Sequence, residues 1–256
     1  MKAMILAAGL GTRLKPFTDD RPKALVEVGG ITLLEHTIKK LVESGFDEII
    51  VNTHHFSPML ISFIQSRDFG ATIYISDESD RLLDTGGGIF HAAKFLDGDA
   101  PFLVHNVDIL TDIDLNGIYQ SHSNSNAIVT LAVGKRESSR VFLFDNEMKL
   151  SGWKNKLTNK QIIPDSSRES LTEFAFAGIH VINPEIFKLT KAVGAFSIID
   201  IYLNLCVKYI ISGYDVSSNF VVDVGKPDSI PVAEEFLKGE LEGGRRKSED
   251  RRSLKL

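Results

Sequence analysis

Between Leu6 and Leu25 the sequence reads LAAGLGTRLKPFTDDRPKAL. Gly9 and Gly11 follow the apolar run Met4–Ala8, the pattern of a buried strand that opens into a loop. Glycines in such a loop let backbone N–H groups approach an anion closely. Arg13 can bind phosphate oxygens through two parallel hydrogen bonds, and Lys23, ten residues on, supplies a compact positive charge. Pro16 and Pro22 stiffen the stretch between them. Two well-known phosphate loops are excluded. A dinucleotide fingerprint needs a third glycine where Leu14 stands, and the Gly-Lys-Ser/Thr of a Walker loop is missing. The chemistry left is phosphate binding and charge neutralisation on a different loop.

Two carboxylates stand where a ligand edge would be. Asp108 closes the apolar run PFLVHNVD, and Asp223 closes FVVD just before Val224-Gly225-Lys226-Pro227. The seven histidines lack the spacing of a helical zinc pair: His54-His55 follows a strand, while His91 and His105 are isolated.

The elements that must position these residues are visible as periodicities. Leu33, Leu34, Thr37, Ile38, Leu41 and Val42 recur at helical spacing and Gly45 ends the run. Glu48–Thr53 is a second buried strand, Ser57 caps a helix carrying Leu60, Ile61 and Ile64, and Ala71–Ile75 is a third strand. A helix over Ile89–Leu96 leads to a fourth strand over Pro101–Val107. This β-α-β-α-β-α-β order predicts an α/β fold with a mainly parallel central sheet, helices on its flanks and ligands at the carboxyl ends of its strands. Ala127–Val133, Val141–Phe144, Leu150–Trp153 and Phe174–Ile182 are strand-like and separated by turns, which predicts an antiparallel or mixed extension. A helix over Ser197–Tyr209, a strand over Phe220–Val224 and a closing helix over Ser229–Leu237 follow.

Composition narrows the setting. The 256 residues are 43% hydrophobic and 25% charged, with a net charge of -5, which fits a globular chain and argues against nucleic acid as a main partner. The lone Cys206 excludes an internal disulfide framework. No apolar run approaches the roughly 20 residues of a membrane span, and the run before Gly9 is shorter than a signal-peptide core. A cytoplasmic enzyme without membrane or nucleic-acid partners is expected. From Gly243 the sequence carries six basic residues against two acidic ones, so residues 1–240 read as one catalytic domain and 241–256 as a basic, disordered tail.

LAAGLGTRLKPFTDDRPKAL resembles, at every fixed position, the signature G-x-G-T-R-x-x-P-x-T-x-x-x-P-K-x-L of the sugar-phosphate nucleotidyltransferases. The segment LLDTGGGI is similar to the version found in N-acetylmuramate 1-phosphate uridylyltransferases, and the glutamine typical of thymidylyltransferases is missing between Gln65 and Gln120. The resemblance implies a Rossmann-like nucleotidyltransferase fold and transfer of a nucleotidyl group from a nucleoside triphosphate to a sugar 1-phosphate, releasing pyrophosphate. It makes Arg13 and Lys23 catalytic and gives Asp108 and Asp223 the catalytic Mg²⁺, a suitable pair of hard oxygen ligands. The nucleotide then lies along Leu6, Ala7, Ala8, Gly9, Gly11 and Thr12. Its base side meets Asp84, Thr85, Gly86 and Gly87, where glycine admits a flat base and a helix N-terminus offers free N–H groups. Phe176-Ala177-Gly178-Ile179 resembles the strand beside the sugar, and Asn106, Lys154, Glu173, Ala177, Gly178 and Asp200 are candidate sugar-phosphate contacts. Asp200, set among isoleucines, reads as a buried carboxylate in need of a partner.

UTP with N-acetylmuramate 1-phosphate, in cell-wall sugar recycling, is the leading substrate pair. Guanylyl transfer to mannose or heptose 1-phosphate, thymidylyl transfer to glucose 1-phosphate, cytidylyl transfer to phosphocholine and a non-catalytic nucleotide sensor stay open. A monomer or small homo-oligomer without the added β-helix domain of longer relatives is expected.

Overall fold

The computed structural model describes residues 1–164 and 170–239, so the tail expected at 241–256 lies outside the described residues. Alternation of strand and helix builds the first half. β1 (Lys2–Leu6) leads through the glycine loop to a small hairpin, β2 (Glu27–Val28) and β3 (Ile31–Thr32), then α1 (Leu33–Glu43). β4 (Glu48–Thr53), α2 (Ser57–Gln65) and β5 (Thr72–Asp77) follow, then α3 (Asp84–His91), α4 (Ala93–Leu96) and β6 (Phe102–Asn106). All pairings among β5-β4-β1-β6 are parallel. Successive residues of the strands face opposite cores, as the period of two requires. Ala3, Ile5, Ile49 and Val51 pack with Leu33, Leu34, Ile38 and Leu41 of α1, while Met4 and Ile50 pack with Ile89, Ala92 and Leu96 on the other face. The chain winds from β1 out to β5, then crosses back to place β6 on β1's other side. A crevice opens at such a reversal, at the carboxyl ends of the strands.

Mixed pairing characterises the second half, as the sequence predicts. It contains β7 (Ile109–Thr111), α5 (Leu115–Ser123), β8 (Val129–Gly134), β9 (Arg140–Phe144), β10 (Leu150–Asn155) and β11 (Lys160–Ile162). β12 (Thr172–Ile182), α6 (Ile186–Leu189), α7 (Ile198–Leu205), β13 (Ile211–Asp215) and β14 (Val221–Asp223) follow, and residues 229–239 are helical. β12 runs antiparallel to β6, β8 and β9, and so joins the parallel half to the β9-β10-β11 ribbon. Its register against β8 shifts between Phe176 and His180. Gly178 sits in that bulge with φ 73°, where a Cβ would lie 2.9 Å from Ile109 Cγ1 and 3.0 Å from Asn106 Nδ2.

Two local expectations are corrected. Ser57 does not cap α2: Phe56, with φ 56°, takes the cap position, and the Ser57 hydroxyl joins Thr53 Oγ1 at 2.8 Å and Asp77 Oδ1 at 3.2 Å. The helix expected over Ile89–Leu96 begins at Asp84, takes in the glycine run and breaks at Ala92 into α3 and α4. Among the described residues the strands from β8 to β12 are joined without a helix, as expected, and α5, which the sequence reading did not name, lies ahead of them with Asp114 as its cap, accepting the Gly117 N–H at 3.0 Å.

Three histidines belong to the core. His180 Nδ1 meets the hydroxyl of fully buried Tyr202 at 3.1 Å, His105 Nδ1 bonds the Asn106 carbonyl at 2.8 Å, and His122 Nδ1 bonds Thr130 Oγ1 at 2.9 Å. Burial pushes His105 and His122 down to about 4 and His180 to about 3. The folded values lie below the ordinary 6.5, so the unfolded chain takes up these protons first. Their contribution is therefore complete above pH 6.5 and is lost as pH falls toward the folded values. Urea unfolding between pH 7 and 5 should show stability dropping by up to about 1.4 kcal/mol per pH unit for each histidine. A flat profile would contradict the burial. No described helix is long and apolar enough to cross a membrane.

Candidate active site

A cleft of about 550 Å³ opens at the carboxyl ends of β1 and β6. The whole run from Leu6 to Arg13 lines it, with Lys23, Asp84, Thr85, Asn106 and Asp108. The structure thus brings most of the sequence-derived residues to one place. Asn52, Leu82, Val107, Ala195 and Gly225 join the lining without having been singled out in the sequence.

The two loop glycines have different jobs. Gly11 has φ 68° at the head of a short turn, Thr12–Leu14, and a Cβ there would lie 2.9 Å from Thr18 Cγ2. Buried Thr18 donates from its hydroxyl to the Gly11 carbonyl at 2.9 Å, so the signature threonine shapes the loop. At Gly9 an added Cβ meets nothing within 4 Å. The fold leaves that space to the cleft. Gly9→Ala is therefore expected to change stability by no more than about 0.5 kcal/mol. It should raise the KM of the nucleotide about tenfold, which denaturation and steady-state kinetics would check together.

Opposite the loop, charges converge. Asp223 is set by the antiparallel pairing of β14 with β7, which places it beside Ile109, and the Val224 N–H donates to the Asp108 carbonyl at 2.8 Å. Lys23, only 8% exposed, forms an ion pair with Asp108. Partial desolvation by the groups around it and the like charge of Asp108 raise the Asp223 carboxyl above the ordinary carboxylate range, against the charges of Lys23, Arg13 and Arg136. Gly225 is where the two sides crowd together. A Cβ there would lie 2.6 Å from Asp223 Oδ1 and 3.2 Å from Arg13 Nη2. Arg136, which nothing in the sequence marked, donates from Nη2 to the Phe176 carbonyl at 2.6 Å.

Two neighbouring hard oxygen donors suit Mg²⁺, which takes one or two carboxylates and completes its shell with substrate phosphates and water. Among the described residues no cluster of three or more His, Cys, Asp or Glu forms a dedicated metal cage. The donor set fits a cation shared with a phosphorylated substrate.

On the base side the glycine run has another reason than the one the sequence suggested. Gly86 and Gly87 are buried, and neither lines the cleft. Their N–H groups donate to the Phe196 carbonyl at 2.9 and 3.2 Å. A Cβ on Gly86 would lie 2.5 Å from the Phe196 ring, and one on Gly87 would lie 2.3 Å from the Gly194 oxygen. The run lets α3 seat against residues 194–198, and the end of α3 facing the cleft is Asp84 and Thr85.

On the sugar side Gly178 touches Asn106, and Ala177 is fully buried. Glu173 accepts from Lys154 at 3.0 Å and from Lys156 at 2.7 Å, and these bonds lower its carboxyl below the ordinary range. This triad stands apart from the cleft lining. Asp200 is exposed in the first turn of α7, where its charge complements the helix dipole, so the buried carboxylate expected there is corrected.

The nucleotidyl transferase family model matches residues 2–239. The chain belongs to that family. An N-acetylmuramate alpha-1-phosphate uridylyltransferase of Caulobacter vibrioides is 30% identical over 242 residues, covering 92% of this chain and 96% of its own length. An enzyme of the same name from Neisseria meningitidis serogroup B is 33% identical over 192 residues, 73% of this chain and 77% of its own. A putative glucose-1-phosphate thymidylyltransferase of Bacillus anthracis, solved with sucrose, superposes with a TM-score of 0.75 at 20% identity, over 92% and 94% of the two chains. This nucleotidyltransferase is an enzyme of the sugar 1-phosphate class, whose substrates are a nucleoside triphosphate and a sugar phosphate. Enzymes of the family generally use a divalent metal.

Proposed function

We propose that this nucleotidyltransferase transfers the uridylyl group of UTP to N-acetylmuramate 1-phosphate, forming the UDP-sugar and pyrophosphate. The observation that carries the choice of substrates is the near full-length relative of that name, 30% identical over 92% of the chain, and the resemblance of the LLDTGGGI segment to enzymes of that type supports it. UTP lies along Leu6–Arg13 with its base toward Asp84 and Thr85. Arg13 neutralises the β- and γ-phosphates that depart as pyrophosphate. Lys23 stabilises charge at the α-phosphorus while the sugar phosphate attacks in line. The attacking oxygen needs no general base, because a sugar phosphate resembles phosphoserine, with a second pKa of about 6, and is already anionic at neutral pH. Among the described residues no histidine lines the cleft, which supports this reading. Bound between Asp108 and Asp223, Mg²⁺ would add positive charge beside the reacting phosphates.

A thermal-shift screen of UTP, GTP, CTP, ATP and dTTP with Mg²⁺, followed by pyrophosphate release on a panel of sugar 1-phosphates, tests the proposal. UTP and N-acetylmuramate 1-phosphate are expected to give the largest shift and the highest kcat/KM. Preference for GTP or CTP, or for another sugar, would overturn it.

A further inference from the structure

Two buried residues absent from the signature, Asn52, which also lines the cleft, and Glu78, tie the two halves of the nucleotide site together. The amide Oδ1 of Asn52, at the end of β4, accepts the N–H groups of Ala7 at 2.6 Å and Ala8 at 3.2 Å. Asn52 Nδ2 donates to Glu78 Oε1 at 2.7 Å, and Glu78 Oε2 accepts the Leu83 N–H at 3.3 Å, one residue before Asp84. Asn52 and Glu78 are each 3% exposed. Glu78 is held from its backbone too: its N–H donates to the Thr53 carbonyl at 2.8 Å, and its carbonyl takes His54 Nδ1 at 2.7 Å and the Arg81 N–H at 3.0 Å. Gly88 leaves the room it needs, since a Cβ there would lie 2.7 Å from Glu78 Oε1 and 2.9 Å from Asn52 Nδ2. Among the described residues no cation forms an ion pair with this carboxylate. It is a costly group to bury, and what it holds is the phosphate loop on one side and the base-side segment on the other.

We infer that Asn52 and Glu78 are positioning residues for the nucleoside triphosphate: a buried brace that sets the spacing between Ala7–Ala8 and Leu83–Asp84. The inference rests on the reading of this cleft as the nucleotide site. Hydrogen-bond polarity makes it specific. A carboxylate only accepts, so Glu78 takes donors from both Asn52 and Leu83. Glutamine offers one acceptor and one donor group. In Glu78→Gln, whichever way either amide is turned, one donor is left facing another donor at Asn52, at Leu83 or at Ala7 and Ala8. The double variant Asn52→Asp with Glu78→Gln restores every bond with the central one reversed. The new aspartate accepts from Ala7, Ala8 and the glutamine amide, and the glutamine oxygen accepts from Leu83. The double variant also keeps the single negative charge.

The experiment is steady-state kinetics with both substrates varied, beside calorimetric titration of UTP·Mg²⁺ into each protein. E78Q is expected to raise the KM and Kd of UTP at least about tenfold, with the KM of the sugar phosphate within twofold of wild type. N52D/E78Q is expected to recover most of that loss. A loss of packing alone would lower both variants together and would not respect the exchange of donor for acceptor. An E78Q protein with wild-type UTP affinity, or a double variant as impaired as the single, overturns the brace. Should E78Q not fold, Asn52→Ser carries the same test: it frees Ala7 and Ala8, leaves the Glu78–Leu83 bond, and must raise the UTP KM alone. A wild-type protein that binds none of the five triphosphates would instead remove the nucleotide site itself, a result distinct from failure of the brace.

Discussion

Asp108→Asn is expected to lower the rate of pyrophosphate release by about 10³-fold or more, several kcal/mol of barrier, while the protein stays folded. The side chain is part of a charge arrangement and is not a packing group. Asp108 stands at the mouth of β6, in the cleft, with Lys23 on one side and Asp223 on the other. The amide keeps an oxygen for Lys23 but removes the negative charge that a divalent cation needs. A second readout separates this from general damage. The Asp223 carboxyl is raised first by burial and then by the charge of Asp108. In the metal-free wild-type protein the Asp223 carboxyl is therefore expected to titrate above the ordinary carboxylate range. With Asp108 neutral, one of the two causes is gone, and that titration in the metal-free variant should move to lower pH. Pyrophosphate release checks the size of the loss, and an NMR titration of the two metal-free proteins checks the sign of the shift. Unaltered pyrophosphate release in the variant would remove Asp108 from the site.

How much of this could be read from the chain depends on how local each determinant is. The glycine loop is legible because its causes lie within it: Gly11 turns where Thr18 and Leu14 hold the turn, all inside the same twenty residues. The parallel half is legible because strand and helix alternate with clean periods, and each period reports which core a residue faces. Gly86 and Gly87 stand out in the sequence, but not for a reason the sequence can display. Their partners, Phe196 and Gly194, are more than a hundred residues away, and only the folded chain shows that the space of the missing Cβ atoms is filled by protein. Asn52 and Glu78 were unreadable for the same reason, because the meaning of each lies in the other's hydrogen bonds. Asp200 failed by geometry. Neighbours on a helix point about 100° apart, so Ile198 and Ile201 are buried while the aspartate between them is exposed.

Arg13→Ala is expected to reduce kcat/KM for UTP by about 10²–10³-fold, the scale of one lost donor to developing charge, with an unchanged melting temperature. Of the turn Thr12–Leu14 only Leu14 is buried, so the arginine side chain is not needed for folding. Arg13→Lys should recover little, because a single ammonium cannot reproduce the flat, two-pronged donor that a phosphate accepts. Gly225→Ala should reproduce much of the defect with Arg13 intact, since its new methyl falls 3.2 Å from Arg13 Nη2 and 2.6 Å from Asp223 Oδ1. The decisive sign again comes from Asp223. The charge of Arg13 lowers that carboxyl, whereas the charge of Asp108 raises it. Removing the arginine should therefore move the titration of Asp223 in the metal-free protein to higher pH, opposite to the Asp108 variant. Two substitutions that both cripple the enzyme but displace the same titration in opposite directions are explained only if both charges act on one carboxylate. Shifts in the same direction would mean that Asp223 is not the group that titrates.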